Sequence, residues 1–288
     1  MKKKLGVFDV VLIIFLVLLC LVTLYPVLYV LFSSLSDPVL LQQQRGIMLK
    51  PLGFSMEAYR LVLGNPSVTI GYRNTLFYVI TGTFINMIMT IFGAFALTRK
   101  DLYIKKTVLL IIIFTMQFGG GLIPTYIVVN KLLGNSIWTQ LLPGAIATTN
   151  LIIMRTGFAA IPDSLEESAK IDGANDWDIL TRIILPLSKP TMAVIALYYG
   201  VAHWNQWLPA SIYLRDRNLY PLQLFLREIL LQNQTEETMM GIESIQVADM
   251  SDVIKYATIM VAIIPVLCVY PFLQKYFVKG AMLGAVKG

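Results

Sequence analysis

Glu166-Glu167-Ser168-Ala169-Lys170-Ile171-Asp172-Gly173-Ala174, followed shortly by Ile183-Ile184-Leu185-Pro186-Leu187, decides how this chain is read. The first string is dense in charge, and apolar runs lie on both sides of it. A chain that mostly prefers lipid yet keeps a polar island from Arg155 to Lys189 has a use for it. Contact with a soluble partner is the simplest such use.

Composition sets the class. Hydrophobic residues make up 57% of the 288 positions and charged residues 14%, with a mean hydropathy of +0.70. Soluble domains run at about 25% charged. The balance is that of an integral membrane protein. The excess of Lys and Arg then measures loop charge and does not argue for nucleic acid. Cys20 and Cys268 both sit in apolar runs and read as small buried hydrophobes. The one histidine, His203, has no Cys or carboxylate cluster beside it, so no metal site is expected.

Working outward from the island gives six spans in one transmembrane domain covering residues 1–288. They lie at about 10–32, 75–97, 108–130, 138–154, 190–214 and 254–272. The basic start Met1-Lys2-Lys3-Lys4 resembles a signal peptide, but the apolar run is long and no small-residue cleavage site follows. Residues 34–72, with Asp37-Pro38 and Asn65-Pro66, form a polar excursion; residues 215–253 form a second, with an amphipathic helix near Leu219 to Leu231. Gly119-Gly120-Gly121 and Pro124 interrupt the third span. That break either faces a cavity, where freed carbonyls are tolerated, or is a packing kink.

Six spans put both termini and the island on one side. Lys2, Lys3, Lys4, Arg99, Lys100, Lys105, Lys106, Arg155, Lys170, Arg182, Lys189, Lys275, Lys279 and Lys287 fall there, 14 of the 23 basic residues. That bias makes it the cytoplasmic side.

The island itself reads as two short helices. Ser164 with Glu167 three residues on fits a capping box, starting a helix that runs to about Asp172. Gly173 allows a turn. Asn175 or Asp176 caps a second helix to about Ile184, with Leu180, Ile183, Ile184 and Leu187 on one face. Pro186 and Pro190 bend the chain back toward the membrane.

These residues carry a resemblance. Glu167-Ser168-Ala169, three residues, Gly173, nine residues, then Ile183-x-Leu185-Pro186 resembles the EAA loop of binding-protein-dependent ABC importer permeases. Ser168 departs from that pattern, which has Ala there. Gln117 through Tyr126, Leu214-Arg215-Asp216-Arg217 and the ending from Lys279 to Gly288 look like the carbohydrate branch, of maltose type or of the alginate- or aldouronate-like oligosaccharide type.

The resemblance implies an all-α, type I importer permease fold with a cytoplasmic coupling loop at residues 155–189. It implies a place in the bacterial cytoplasmic membrane and three partners: a second permease subunit, an ATPase dimer holding ATP and Mg, and an external or periplasmic sugar-binding protein. It implies that Glu166, Glu167, Ala169, Asp172, Gly173, Ala174, Ile183, Leu185 and Pro186 couple the chain to the ATPase, with Glu167 reaching a basic side chain on it and Leu185 and Pro186 fixing the loop against the membrane helices, and that the tail after Lys279 touches the ATPase too. The residues are compatible with this. No phosphate-binding GxxxxGK[ST] loop exists, so ATP hydrolysis belongs to another chain and this one is not an enzyme.

For the sugar path, aromatic faces stack on rings and amides bond hydroxyls. Asn86, Gln117, Tyr198, Tyr199, Asn205, Gln206 and Trp207 are the candidates within spans. Each has a competing structural role: Trp204 and Trp207 as interfacial anchors, Asn86 as a hydrogen bond between helices. His203 reads as a satisfied hydrogen-bonding residue rather than a proton relay. A secondary transporter would need in-span carboxylates for its coupling ion, and Asp and Glu avoid the spans. A permease for a non-sugar solute is the nearer alternative.

Overall fold

The computed structural model describes residues 6–99, 101–239 and 245–285; side chains of 232–249, 270 and 272–285 are outside that description. Lys2, Lys3, Lys4, Lys100 and the final residues 286–288 therefore lie outside it, as do the tail side chains from Lys279. The described residues are helical, and their isolated β-bridge pairs Ser36 with Phe54.

Contacts divide the chain into two units. The first is Met1–Thr69 with Phe225–Pro265. It contains α1 (Val7–Ser34), whose apolar window is wholly unburied within the chain, as expected of a surface meant for lipid or another subunit. Pro26 sits inside α1. Asp37 caps α2 (Pro38–Gln43), its carboxylate accepting from Val39 and Leu40 N–H. After α3 (Glu57–Gly64), Asn65 accepts from Ser67 N–H at 2.9 Å. The Asn65-Pro66 pair is thus a helix start rather than loop, because proline suits the first helical position. Tyr29 meets Tyr256 edge to face at 5.9 Å.

The second unit is Ile70–Leu224 with Val266–Gly288. It takes most of α4 (Pro66–Thr98), then α5 (Lys105–Gln117), α6 (Leu122–Leu133), α7 (Trp138–Leu141) and α8 (Thr148–Ala159). The island comes next as α9 (Asp163–Ile171) and α10 (Asp176–Leu187), then α11 (Lys189–Trp204) and α12 (Leu208–Tyr213). A 3₁₀ turn, Arg217–Leu219, leads to α13 (Leu222–Met239), and α14 (Ile245–Ala285) closes the described chain.

Helix length and composition by themselves do not reach the expected six spans. Among the described residues three helices are long and apolar enough to cross: Val7–Ser34, Pro66–Thr98 and Met250–Val269. Two bent pairs, α5 with α6 at 115° and α10 with α11 at 82°, raise this to five by length and composition. The expected continuous span at 138–154 is not one helix. Pro143-Gly144 falls in its middle, and Leu142 to Ala147 leave the helix between α7 and α8. The span at 190–214 is likewise broken at Asn205 to Trp207. The last span extends as helix to Ala285, beyond the expected end near 272.

The expected break after α5 is present. Gly121 there has φ +78°, a conformation that residues with a Cβ avoid.

Candidate functional site

α9 begins directly after Pro162 with no side-chain cap, so the Ser164–Glu167 capping box is not formed. Pro162, extended at ψ 131°, presets the entry, and Ser164 falls inside the first turn. Asp163 and Glu166 in that turn favour the positive helix end, and Lys170 the negative one.

Glu166 is tied within the chain. Arg99 donates from Nη1 to Oε2 at 2.9 Å and from Nη2 to Oε1 at 2.8 Å, a bidentate pair.

The helix then ends in a Schellman turn. Ala174 N–H reaches Ala169 C=O at 2.9 Å and Gly173 N–H reaches Lys170 C=O at 3.1 Å. Gly173 has φ +84°, and a Cβ built on it would meet nothing within 4 Å. Its glycine is required by backbone conformation, and the space outside it is open. Asn175 then caps α10, its Oδ1 accepting from Asp178 N–H at 2.9 Å.

α10 is anchored by an unusual stretch. Ile179–Ile184 is π-helical, so its inward face falls on Ile179, Leu180 and Ile184, each no more than 2% exposed. The expected face included Leu187, but that residue is exposed, because the wider turn shifts the phase of the helix beyond it. The three pack into a core with Ala94, Leu97, Leu151, Met154, Phe158, Ile195 and Tyr199. Ala169, Ala174 and Leu185 lean on this core from outside. Ile183 is half-buried.

Glu167, Asp172, Gly173 and Pro186 are exposed. With them stand apolar side chains that sequence reading passed over: Ile171, 86% exposed, Trp177, 61%, and Leu165, 44%. Trp177 stacks on Phe92 at 6.2 Å.

A second polar group lies among the helices. Asn86 Nδ2 donates to the carbonyls of Gly144 at 2.6 Å and Ala145 at 3.0 Å, groups freed by the break between α7 and α8. Asn86 Oδ1 faces His203 Nε2 at 2.7 Å. His203 Nδ1 meets Gln206 Oε1 at 3.0 Å, and Gln206 Nε2 donates to Gln140 O and Oε1. Tyr199 OH accepts from Ala147 N–H at 3.0 Å and shares a hydrogen bond with Thr90 at 2.7 Å. The His203 ring occupies the space where a Cβ on Gly82 would lie.

Of the span candidates, the structure gathers Asn86, Tyr199 and Gln206 into this seam. Gln117 is exposed at the end of α5, Tyr198 is 45% exposed, and Asn205 donates to Val201 O within its own helix turn. Trp207 is half-buried beside Ala210, Leu214 and Leu224. Trp204 is buried, its ring 6.2 Å from that of Tyr72.

The family pattern described as the binding-protein-dependent transport system inner membrane component matches residues 67–282, from the start of α4 to near the end of α14. The chain belongs to this family. Among its relatives, the permease is 40% identical to the polygalacturonan/rhamnogalacturonan transport system permease protein YtcP of Bacillus subtilis, with all of both chains covered. It is 38% identical to protein LplC of the same organism, over 98% of this chain and 95% of that one. Among solved structures it resembles a chain of a bacterial ABC transporter involved in the import of the acidic polysaccharide alginate. The TM-score is 0.84 at 31% identity, covering 96% of this chain and 99% of that one.

The permease is therefore a helical membrane transport component rather than an enzyme, and the fold is that of ABC permeases. Arg99 escaped sequence reading because its partner lies 67 residues away and no local pattern joins them. Gln140 and Gly82 escaped for the same reason. Ile171 and Trp177 left no signal either: Ile171 ends α9, and Trp177 stands three residues before Leu180 and seven before Ile184, in helical phase with the face that α10 buries.

Proposed function

We propose that this permease lets an oligosaccharide bearing acid groups cross the bacterial inner membrane, and that a separate ATPase dimer drives it through the α9–α10 loop. A second permease subunit completes the path, and an external binding protein delivers the sugar. ATP and Mg act on the ATPase subunits. Both termini and the loop face the cytoplasm, with six crossings in which α7–α8 is a broken one.

The observation that carries this reading is the loop's two-sided build. Glu167, Asp172 and Gly173 are exposed beside the apolar Ile171 and Trp177, while Ile179, Leu180 and Ile184 fix the loop's other side in the core. A surface with apolar anchors, a charged rim and an open glycine suits a partner groove. Its rigid backing passes displacement on to the helices. The acid cargo is supported by the polygalacturonan/rhamnogalacturonan relative and by the alginate importer.

The test is co-purification of tagged permease with its ATPase, alongside uptake of labelled oligogalacturonate and of a neutral oligosaccharide of equal length. Recovery of the ATPase and preferential acid uptake are expected. Recovery without an ATPase sinks the coupling loop. Preference for the neutral sugar sinks the acid cargo alone.

A further inference from the structure

α9 is held differently from α10. None of its nine residues is buried, so no apolar slab fixes it. Its inward attachments include the partial cover of Ala169 and the paired oxygens of Glu166. Those oxygens go to Arg99, one residue past the end of α4.

That helix end is a junction. Arg155 of α8 donates from Nε to Leu97 O at 3.3 Å. Lys105 of α5 donates from Nζ to Thr98 O at 3.3 Å and Arg99 O at 3.4 Å. Cations gather where the last carbonyls of a helix carry negative potential. Arg99 has its guanidinium 4.2 Å from the centre of the Phe95 ring and presents both terminal nitrogens to Glu166. Its Nε is buried without a hydrogen-bond partner. The side chain gives up one donor and keeps the fork aimed at Glu166. Both partners are largely shielded, at 16% and 20% side-chain exposure.

An apolar contact permits sliding and rotation; a bidentate pair fixes both distance and orientation. We propose that the Arg99–Glu166 pair is the rigid tie that delivers movement of α9 to the end of α4, making Arg99 a positioning residue for coupling. The inference rests on the reading of α9–α10 as the ATPase-docking loop. Lysine cannot replace the fork, since its ammonium is a point charge on a flexible stem.

The test uses the complete importer in proteoliposomes, with ATP hydrolysis and labelled oligogalacturonate uptake read in the same vesicles. For Arg99→Ala the complex still assembles and hydrolyses ATP, and sugar moved per ATP falls about tenfold, within the range that residues along a coupling route command. Arg99→Lys keeps the charge and stays deficient. The exchanged pair Arg99→Glu with Glu166→Arg recovers part of the ratio, which a merely structural charge would not do. A normal ratio in Arg99→Ala overturns the proposal. So does loss of the ATPase from that variant, because it would assign the pair to folding of the loop. Gly173→Trp separates the two readings: if it assembles and couples normally, the docking loop itself is wrong, whatever Arg99 does.

Discussion

Two polar regions of this apolar chain point opposite ways. In the α9–α10 loop, Glu167, Asp172 and Gly173 face outward, and the apolar Ile179, Leu180 and Ile184 hold the loop from behind. In the seam of Asn86, His203, Gln206 and Tyr199, the polar atoms face inward, onto backbone freed by the break at Leu142 to Ala147. Polar residues in a membrane chain thus do two jobs. Some stand exposed on the surface, and some satisfy the chain's own backbone where a helix stops. Density of polar residues does not separate these; their exposure does.

The largest effect expected is at the outward region. Gly173→Trp puts a bulky Cβ residue at φ +84° and fills the open space beside the Schellman turn. Binding of the ATPase falls about 30-fold or more, the scale of an interface hot spot. The detergent-solubilised permease alone shows only the small loss expected of a strained loop residue. Titration of the ATPase onto immobilised permease measures the first, and thermal unfolding the second. Equal damage to both would erase the contrast between the regions.

Asn86→Leu attacks the inward region. It leaves the Gly144 and Ala145 carbonyls and His203 Nε2 without their Asn86 partner. Unsatisfied buried groups cost about 1–3 kcal/mol, so thermal stability drops while ATPase binding by the surviving folded protein is kept. An unchanged unfolding temperature with altered sugar preference would move Asn86 to the transport path and redraw the comparison.

Much of the loop is legible in the sequence. The spacing from Glu167 through Gly173 to Pro186 is local, and so are the turn at Gly173 and the Asn175 cap. Local features are written in neighbouring residues. The seam is half legible: Asn86, Tyr199 and Gln206 stand out as polar residues in apolar runs. Their partners do not, because Gln140, Gly144 and Ala147 reach them across 50 or more positions. The same limit hides Arg99 from Glu166. The broken fourth span is misread for another reason: hydropathy averages over Pro143-Gly144, although that pair alone signals a turn. The π-helical stretch leaves no signal, since Ile179 to Ile184 read as ordinary helix formers.

Tyr199→Phe removes one hydroxyl from the seam. That hydroxyl caps Ala147 N–H and meets Thr90. Hydrogen bonds between membrane helices average about 0.6 kcal/mol, so the fall in unfolding temperature should be measurable but smaller than for Asn86→Leu. A larger loss than Asn86→Leu would mean that the N–H side of the break, not the carbonyl side, governs the seam.

Ser164→Ala carries the smallest effect and tests how α9 starts. A working Ser cap is worth about 1 kcal/mol. Here Pro162 takes the cap position and no side-chain cap forms, so Ser164 has no cap to lose. Unfolding temperature and ATPase binding should both match the parent, within about 0.5 kcal/mol. A clear loss would restore the capping box and turn Glu167 back toward its own helix start. Equality leaves that start to the backbone set by Pro162, and keeps Glu167 on the outward face where Gly173→Trp has its effect.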